Sequence, residues 1–172
     1  MTVRLSMTIR CVALAFALTL LSGCGVDNTL SGSLSESISL EANQTVIARN
    51  ADALQVTYLV NRDVFVDVVI RLSVSLKGVA VKPGAKIDLA GDYEPGHPRA
   101  VVSHAPGGEP TRVLPRIKRG DLSIASGGEI GKPMRGDFSV LFETEGGDFG
   151  GGRTLSGIFA GDVADGGFGP LP

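Results

Sequence analysis

From Val64 to Leu76 every second residue is apolar: Val64, Val66, Val68, Ile70, Leu72, Val74 and Leu76, with Asp67, Arg71, Ser73 and Ser75 among those between them. A repeat of two belongs to a strand with one buried face, not to a helix, whose repeat is about 3.6 residues. Just upstream, Leu54, Val56, Tyr58 and Val60 alternate with Gln55, Thr57 and Leu59, and Asn61-Arg62-Asp63 reads as a turn between the two runs. The pair is expected to form a hairpin with one face on a core.

The rest of the chain extends this pattern. A first strand is expected near Leu34, with Ile38 and Leu40 alternating against Ser37 and Ser39, while residues 45–50 suit either a helical turn or a short strand. Lys82-Pro83-Gly84 marks a turn before a short strand around Ile87–Leu89. Residues 91–115 hold Pro95, Pro98, Pro106, Pro110 and Pro115. Proline gives no N–H to a ladder, so this region is expected to be loop or edge, interrupted by a brief strand over 100–104. Farther on, Gly120-Asp121-Leu122-Ser123-Ile124 is echoed by Gly136-Asp137-Phe138-Ser139-Val140, and a third run over 154–163 places Leu155 and Phe159 on one face. Glycine-rich linkers at 126–129 and 145–152 supply positive-φ residues for the turns. Seven or eight short strands separated by turn signals predict an all-β domain, an antiparallel β-sandwich or small barrel.

The amino terminus carries a different signal. Arg4 and Arg10 precede and flank an uncharged apolar run, Cys11–Leu21, too short to remain as a membrane-spanning helix. Next comes Leu21-Ser22-Gly23-Cys24, which resembles the lipobox of bacterial lipoproteins: a branched apolar residue, two small residues, then cysteine. The resemblance implies cleavage between Gly23 and Cys24 and transfer of a diacylglyceryl group to the Cys24 sulfur, the strongest nucleophile among the side chains. It also implies an acylated, membrane-held protein in the cell envelope, since each buried CH₂ contributes about 0.8 kcal/mol and a single chain holds only marginally. Gly25 stands where the family's sorting rule expects aspartate for inner-membrane retention, which implies the outer membrane in a cell that has one.

On this reading residues 1–23 are a signal peptide, expected to be helical, and 24–36 a lipidated flexible tether. Residues 37–165 form one β-domain and 166–172 a loose tail. Removing Arg4 and Arg10 from the 16 basic residues leaves 14 against 18 acidic ones, a mild net negative charge. Nucleic-acid binding needs clustered basic surface and often aromatic platforms; this chain has no tryptophan and two tyrosines, so nucleic acid is not expected as a partner. With Cys11 in the signal segment and Cys24 acylated, no disulfide is available to the domain.

The chemistry-bearing side chains do not fall into a catalytic motif such as G-x-S-x-G, H-E-x-x-H or a P-loop, and neither enzymatic activity nor a cofactor is expected. His97, between Gly96 and Pro98, reads as a solvated loop residue, and His104, alternating with Val102, as a surface or capping residue at a strand end. Two histidines without cysteine or a tight carboxylate pattern do not suggest zinc. Asp148, Asp162 and Asp165 offer hard oxygens beside glycines, but their spacing matches neither the EF-hand loop nor the nonapeptide calcium repeat, and no metal is expected. Arg112, Arg116, Lys118 and Arg119 form the densest basic cluster. It suits contact with anionic headgroups or an acidic partner, or the guarding of an exposed strand edge. The expectation is therefore a non-enzymatic envelope lipoprotein that binds another envelope component. The alternatives are a small-ligand or lipid carrier with an apolar cavity between its sheets, and a hydrolase with dispersed residues.

Overall fold

The computed structural model describes residues 28–62, 65–107, 109–144 and 149–166. The signal segment, Cys24 and the tail beyond Gly166 lie outside the described residues, as do Val64 and Asp148. The protein is nearly all β. The first elements are β1 (Thr29–Ser31), a 3₁₀ turn (Ser33–Glu36), β2 (Gln44–Arg49), β3 (Ala53–Asn61) and β4 (Val66–Ser75). Short strands follow: β5 (Lys86–Asp88), β6 (Asp92–Glu94), β7 (His97–Pro98), β8 (Ala100–Ala105) and β9 (Arg112–Val113). Three long ones close the chain: β10 (Ile117–Ser126), β11 (Pro133–Phe142) and β12 (Thr154–Asp165).

The main sheet runs β5-β10-β11-β12-β2-β3-β4-β8-β9, and β6 and β7 form a separate hairpin. The pairings are antiparallel except at the join, where the end of β12 (Val163–Asp165) lies parallel to Ile47–Arg49 of β2. Earlier in β12, Thr154–Asp162 pairs with β11. One strand thus carries the sheet from one half to the other, and the sheet curls over a single core. Tyr58 from β3 meets Phe138 from β11 edge-on, with ring centroids 6.3 Å apart. Around this pair Leu54, Val56, Ile70, Leu72 and Val74 face Leu122, Phe142, Leu155 and Phe159, all buried. Burial pushes the Tyr58 phenol above its ordinary pKa, and its hydroxyl donates to the Ile158 carbonyl at 2.8 Å.

The echoed pentapeptides turn out to be partners. Gly120↔Val140, Asp121↔Ser139, Leu122↔Phe138, Ser123↔Asp137 and Ile124↔Gly136 are opposed in register, so each segment reads the other backwards. Leu122 and Phe138 form the buried centre, and each glycine lies opposite a branched side chain of the other segment. At Gly136 an added Cβ would stand 2.5 Å from the Phe159 ring, and closer still to the Ser123 carbonyl, so close packing requires the missing side chain.

Two expectations need correction. The expected flexible tether over 24–36 belongs to the fold from Asn28 onward: β1 pairs with Ser156–Ile158 of β12, and Leu34 is fully buried. Ser33 exchanges hydrogen bonds with Thr154, its amide donating to Oγ1 at 3.1 Å and its Oγ accepting the Thr154 amide at 3.0 Å. The polar residues that resemble a linker are there for these bonds. The strand expected near Leu34 is accordingly a 3₁₀ turn, closed by bonds such as Ser37 N–H to the Leu34 carbonyl at 2.9 Å. The second correction is in β4. Ile70 through Leu76 keep the expected parity, but Val66 is exposed while Val69 is buried. The ladder passes from Tyr58↔Ile70 to Leu59↔Val68, leaving Val69 as an extra residue. A β-bulge of this kind exchanges the faces of every residue beyond it.

Candidate functional site

The bulge brings several chemistry-bearing side chains together in one surface groove. Against β8 the same slip recurs, from Val68↔Ala105 to Arg71↔Ser103, so His104 lies opposite the extra residue. Its Nδ1 donates to the Val69 carbonyl at 2.8 Å, which satisfies an oxygen that the bulge removes from the ladder. With Nδ1 bound in this way, the Nε2 edge of the ring is left for other contacts.

Past the slip, Asp67 turns toward the same groove with its side chain only 17% exposed. Both carboxylate oxygens are engaged: Oδ2 accepts Arg62 Nε at 3.0 Å, and Oδ1 accepts the Gly107 amide. Asp67 therefore fastens the β3–β4 turn to the end of β8. The Phe65 ring lies against Gly107, where a Cβ would collide with it. The groove encloses about 430 Å³; Ile38, Val60 and Pro106 contribute apolar wall, and Ser39 and Glu41 add polar groups beside Asp67 and His104.

Carboxylate, imidazole and hydroxyl thus share one cleft, the arrangement a dispersed hydrolase would need. Their bonds lead elsewhere. A peptide carbonyl orients His104, fixing the tautomer without supplying the negative charge that stabilises an imidazolium in a catalytic triad. Asp67 is committed to Arg62 and Gly107. The cleft presents the outer edge of one imidazole, one guanidinium and an apolar wall.

At this same end Phe65 and Val66 are each 49% exposed, and Val113 of β9, paired with Ser103, is 62% exposed. Phe149 stacks on His104 with centroids 6.1 Å apart, and the Arg112 guanidinium lies 5.9 Å from the Phe149 centroid. Cationic and apolar groups here alternate over a short distance.

The basic cluster does not present four free cations. Arg112 pairs with Glu109 at 2.8 Å and Arg116 pairs with Asp92. Lys118 and Arg119 are both exposed, because the β10–β11 register slips between Ile117 and Arg119. They stand beyond the stretch of β10 that β5 covers, Asp121–Ser123. His97 is exposed in the β6–β7 hairpin, its ring 5.7 Å from that of Tyr93. Asp162 and Asp165 lie three residues apart on β12, a spacing that puts them on opposite faces of a strand.

Sequence reasoning reached His104 but missed Asp67, Arg62 and Phe65 as its neighbours. Their only local signal is the apolar run Val68-Val69-Ile70, which interrupts strict alternation and so marks where a bulge can sit.

No protein-family model matches the chain, and neither a curated protein nor a solved structure matches it.

Proposed function

We propose that this chain is a lipid-anchored protein of the cell envelope, acylated at Cys24 and preferring the outer membrane where one exists, whose β-domain binds another envelope component in an accessory role. The anchor rests on the order of charged segment, apolar run and Leu21-Ser22-Gly23-Cys24. The observation that carries the binding role is the exposure of Phe65 beside the His104 groove, with Val66 and Val113 exposed on β4 and β9 at the same end of the sheet. These are three of the five large apolar side chains left exposed among the described residues. Single exposed apolar residues are ordinary on a protein surface, whereas a group rimmed by polar residues marks an interaction site.

A ligand carrier would need an apolar chamber between the two halves of the sheet. That space is filled by Tyr58, Phe138, Phe142 and Phe159, each at most 1% exposed. A protein partner resting on the rim asks nothing of the interior.

The test is in-cell photo-crosslinking of the full-length protein from position 113, with and without Phe65→Asp, followed by mass spectrometry. A stoichiometric envelope protein captured by the first and lost with the second supports the reading; recovery of monomer alone overturns it. Labelling with palmitate checks the anchor separately, because Cys24→Ala should abolish incorporation.

A further inference from the structure

We infer that the end of the domain carrying the β10–β11 turn, with Ile130 at its tip, rests against the phospholipid headgroup layer of the anchoring membrane. The inference rests on the acylation of Cys24 proposed above and adds the face that meets the lipid.

Four peptide steps separate Cys24 from Asn28, and at 3.3–3.6 Å per residue they span at most about 14 Å. Asn28 is no loose end: its Oδ1 accepts the Ala160 amide of β12 at 2.6 Å, and Thr29–Ser31 are paired to Ser156–Ile158. The acyl chains therefore hold this patch of β12, and whatever surrounds it, within about one leash length of the bilayer surface.

What surrounds it is the β10–β11 turn. Three residues along β12 from Ala160, about 10 Å, the Val163 amide donates to the Lys132 carbonyl at 3.1 Å and the Val163 carbonyl accepts the Gly131 amide at 2.8 Å. Arg49 holds the turn from the other side through the Gly128 carbonyl. The turn is closed by Lys132 N–H to the Glu129 carbonyl at 3.2 Å, with Gly131 at φ 78°. It is thus a fixed projection that displays Ile130 at 47% exposure beside the exposed ion pair of Lys132 with Glu129. Ile158, 46% exposed, lies two residues from Ala160. A branched apolar tip rimmed by the exposed Glu129–Lys132 ion pair fits a headgroup layer, where the apolar part enters the acyl boundary and the charged rim stays among the headgroups.

The remaining exposed apolar groups, Phe65, Val66 and Val113, belong to the other end. β10 starts at Ile117, just after β9, and finishes at Ser126 beside the turn, a separation of about 30 Å. With the Ile130 end down, the His104 groove faces away from the membrane and stays open to a partner.

The chain lacks tryptophan, so one introduced indole reports its own surroundings alone. Ile130→Trp and Val113→Trp are placed separately in the full-length acylated protein. Each is reconstituted into vesicles of phosphatidylethanolamine and phosphatidylglycerol containing phospholipid with a nitroxide on its headgroup. Flotation of both proteins, with quenching and a blue shift at position 130 and neither at 113, is the expected result. Flotation with equal quenching at the two positions, or stronger quenching at 113, overturns the orientation while leaving the anchor intact. If the protein fails to float and carries no acyl group by mass, the anchor reading falls and the orientation falls with it.

Discussion

His104 of β8 donates from Nδ1 to the carbonyl of Val69, 35 residues earlier in the chain, and that single bond occupies the backbone oxygen left over by the bulge in β4. Without it the Val69 carbonyl, beside a buried side chain and outside the register of both neighbouring strands, loses this partner. Such an orphaned group costs about 1–3 kcal/mol. His104→Ala should therefore lower stability by about that amount, read as a shift of the urea midpoint with unchanged slope. His104→Asn, which keeps a donor on a shorter side chain, should recover part of the loss. Equal stability of His104→Ala and the parent would mean that water replaces the imidazole.

The reversed pairing of the two Gly-Asp pentapeptides leads to a second outcome. A methyl at Gly136 has nowhere to go between the Phe159 ring and the Ser123 carbonyl, so Gly136→Ala should destabilise by about 1–3 kcal/mol through overpacking. Gly161→Ala is the control on the neighbouring strand, since a Cβ there would sit 3.6 Å from Ile47 in ordinary contact. Its thermal midpoint should stay within a few degrees of the parent's. Similar losses for both would show that glycine is needed for backbone freedom and not for space.

These examples also mark how far the sequence could be read. The parity of Leu54, Val56 and Tyr58, and of Ile70, Leu72 and Val74, was legible because burial on one face of a strand imposes a local period. The likeness of residues 120–124 and 136–140 was visible too, but not that the two pair with each other, since register depends on the intervening turn. The groove was invisible for a deeper reason. Asp67 and His104 meet only because Val69 is inserted in the ladder, and an insertion is a property of two pairings, not of one segment. Residues 28–36 were misread because their apolar content is slight. Their partner, Thr154, lies 121 residues away from Ser33, beyond any periodic signal.

Tyr58 sets the response to alkali. Its phenol is buried, bonded to the Ile158 carbonyl, and held neutral above its ordinary pKa of 10.0. In the unfolded chain it ionises normally, so above about pH 10 the unfolded state binds fewer protons than the native one, and stability falls as pH rises. Below that pH the contribution is constant. Tyr58→Phe should cost about 1 kcal/mol at neutral pH for the lost hydrogen bond. It should also flatten the decline between pH 10 and 11.5, measured by urea unfolding at several pH values. An equally steep decline in both proteins would assign the alkaline limb to other groups.

Leu34 distinguishes a tether from a structural segment most directly. It is fully buried, flanked by the Ser33–Thr154 exchange and by Arg153, whose guanidinium donates to the Ser33 carbonyl at 2.9 Å and pairs with Glu36. Truncating a buried leucine removes its transfer energy and leaves a cavity, a loss of about 2–5 kcal/mol. Leu34→Ala should therefore lower the unfolding midpoint substantially, and Glu36→Ala, which breaks a mostly exposed ion pair, only slightly. The same truncation would weaken the clamp that fixes Asn28 against β12. Limited proteolysis should then cut before residue 37 in the variant and not in the parent. A Leu34→Ala protein as stable and as protected as the parent would return residues 28–36 to the status of a loose tether, and the short leash to the membrane would lengthen by as many residues.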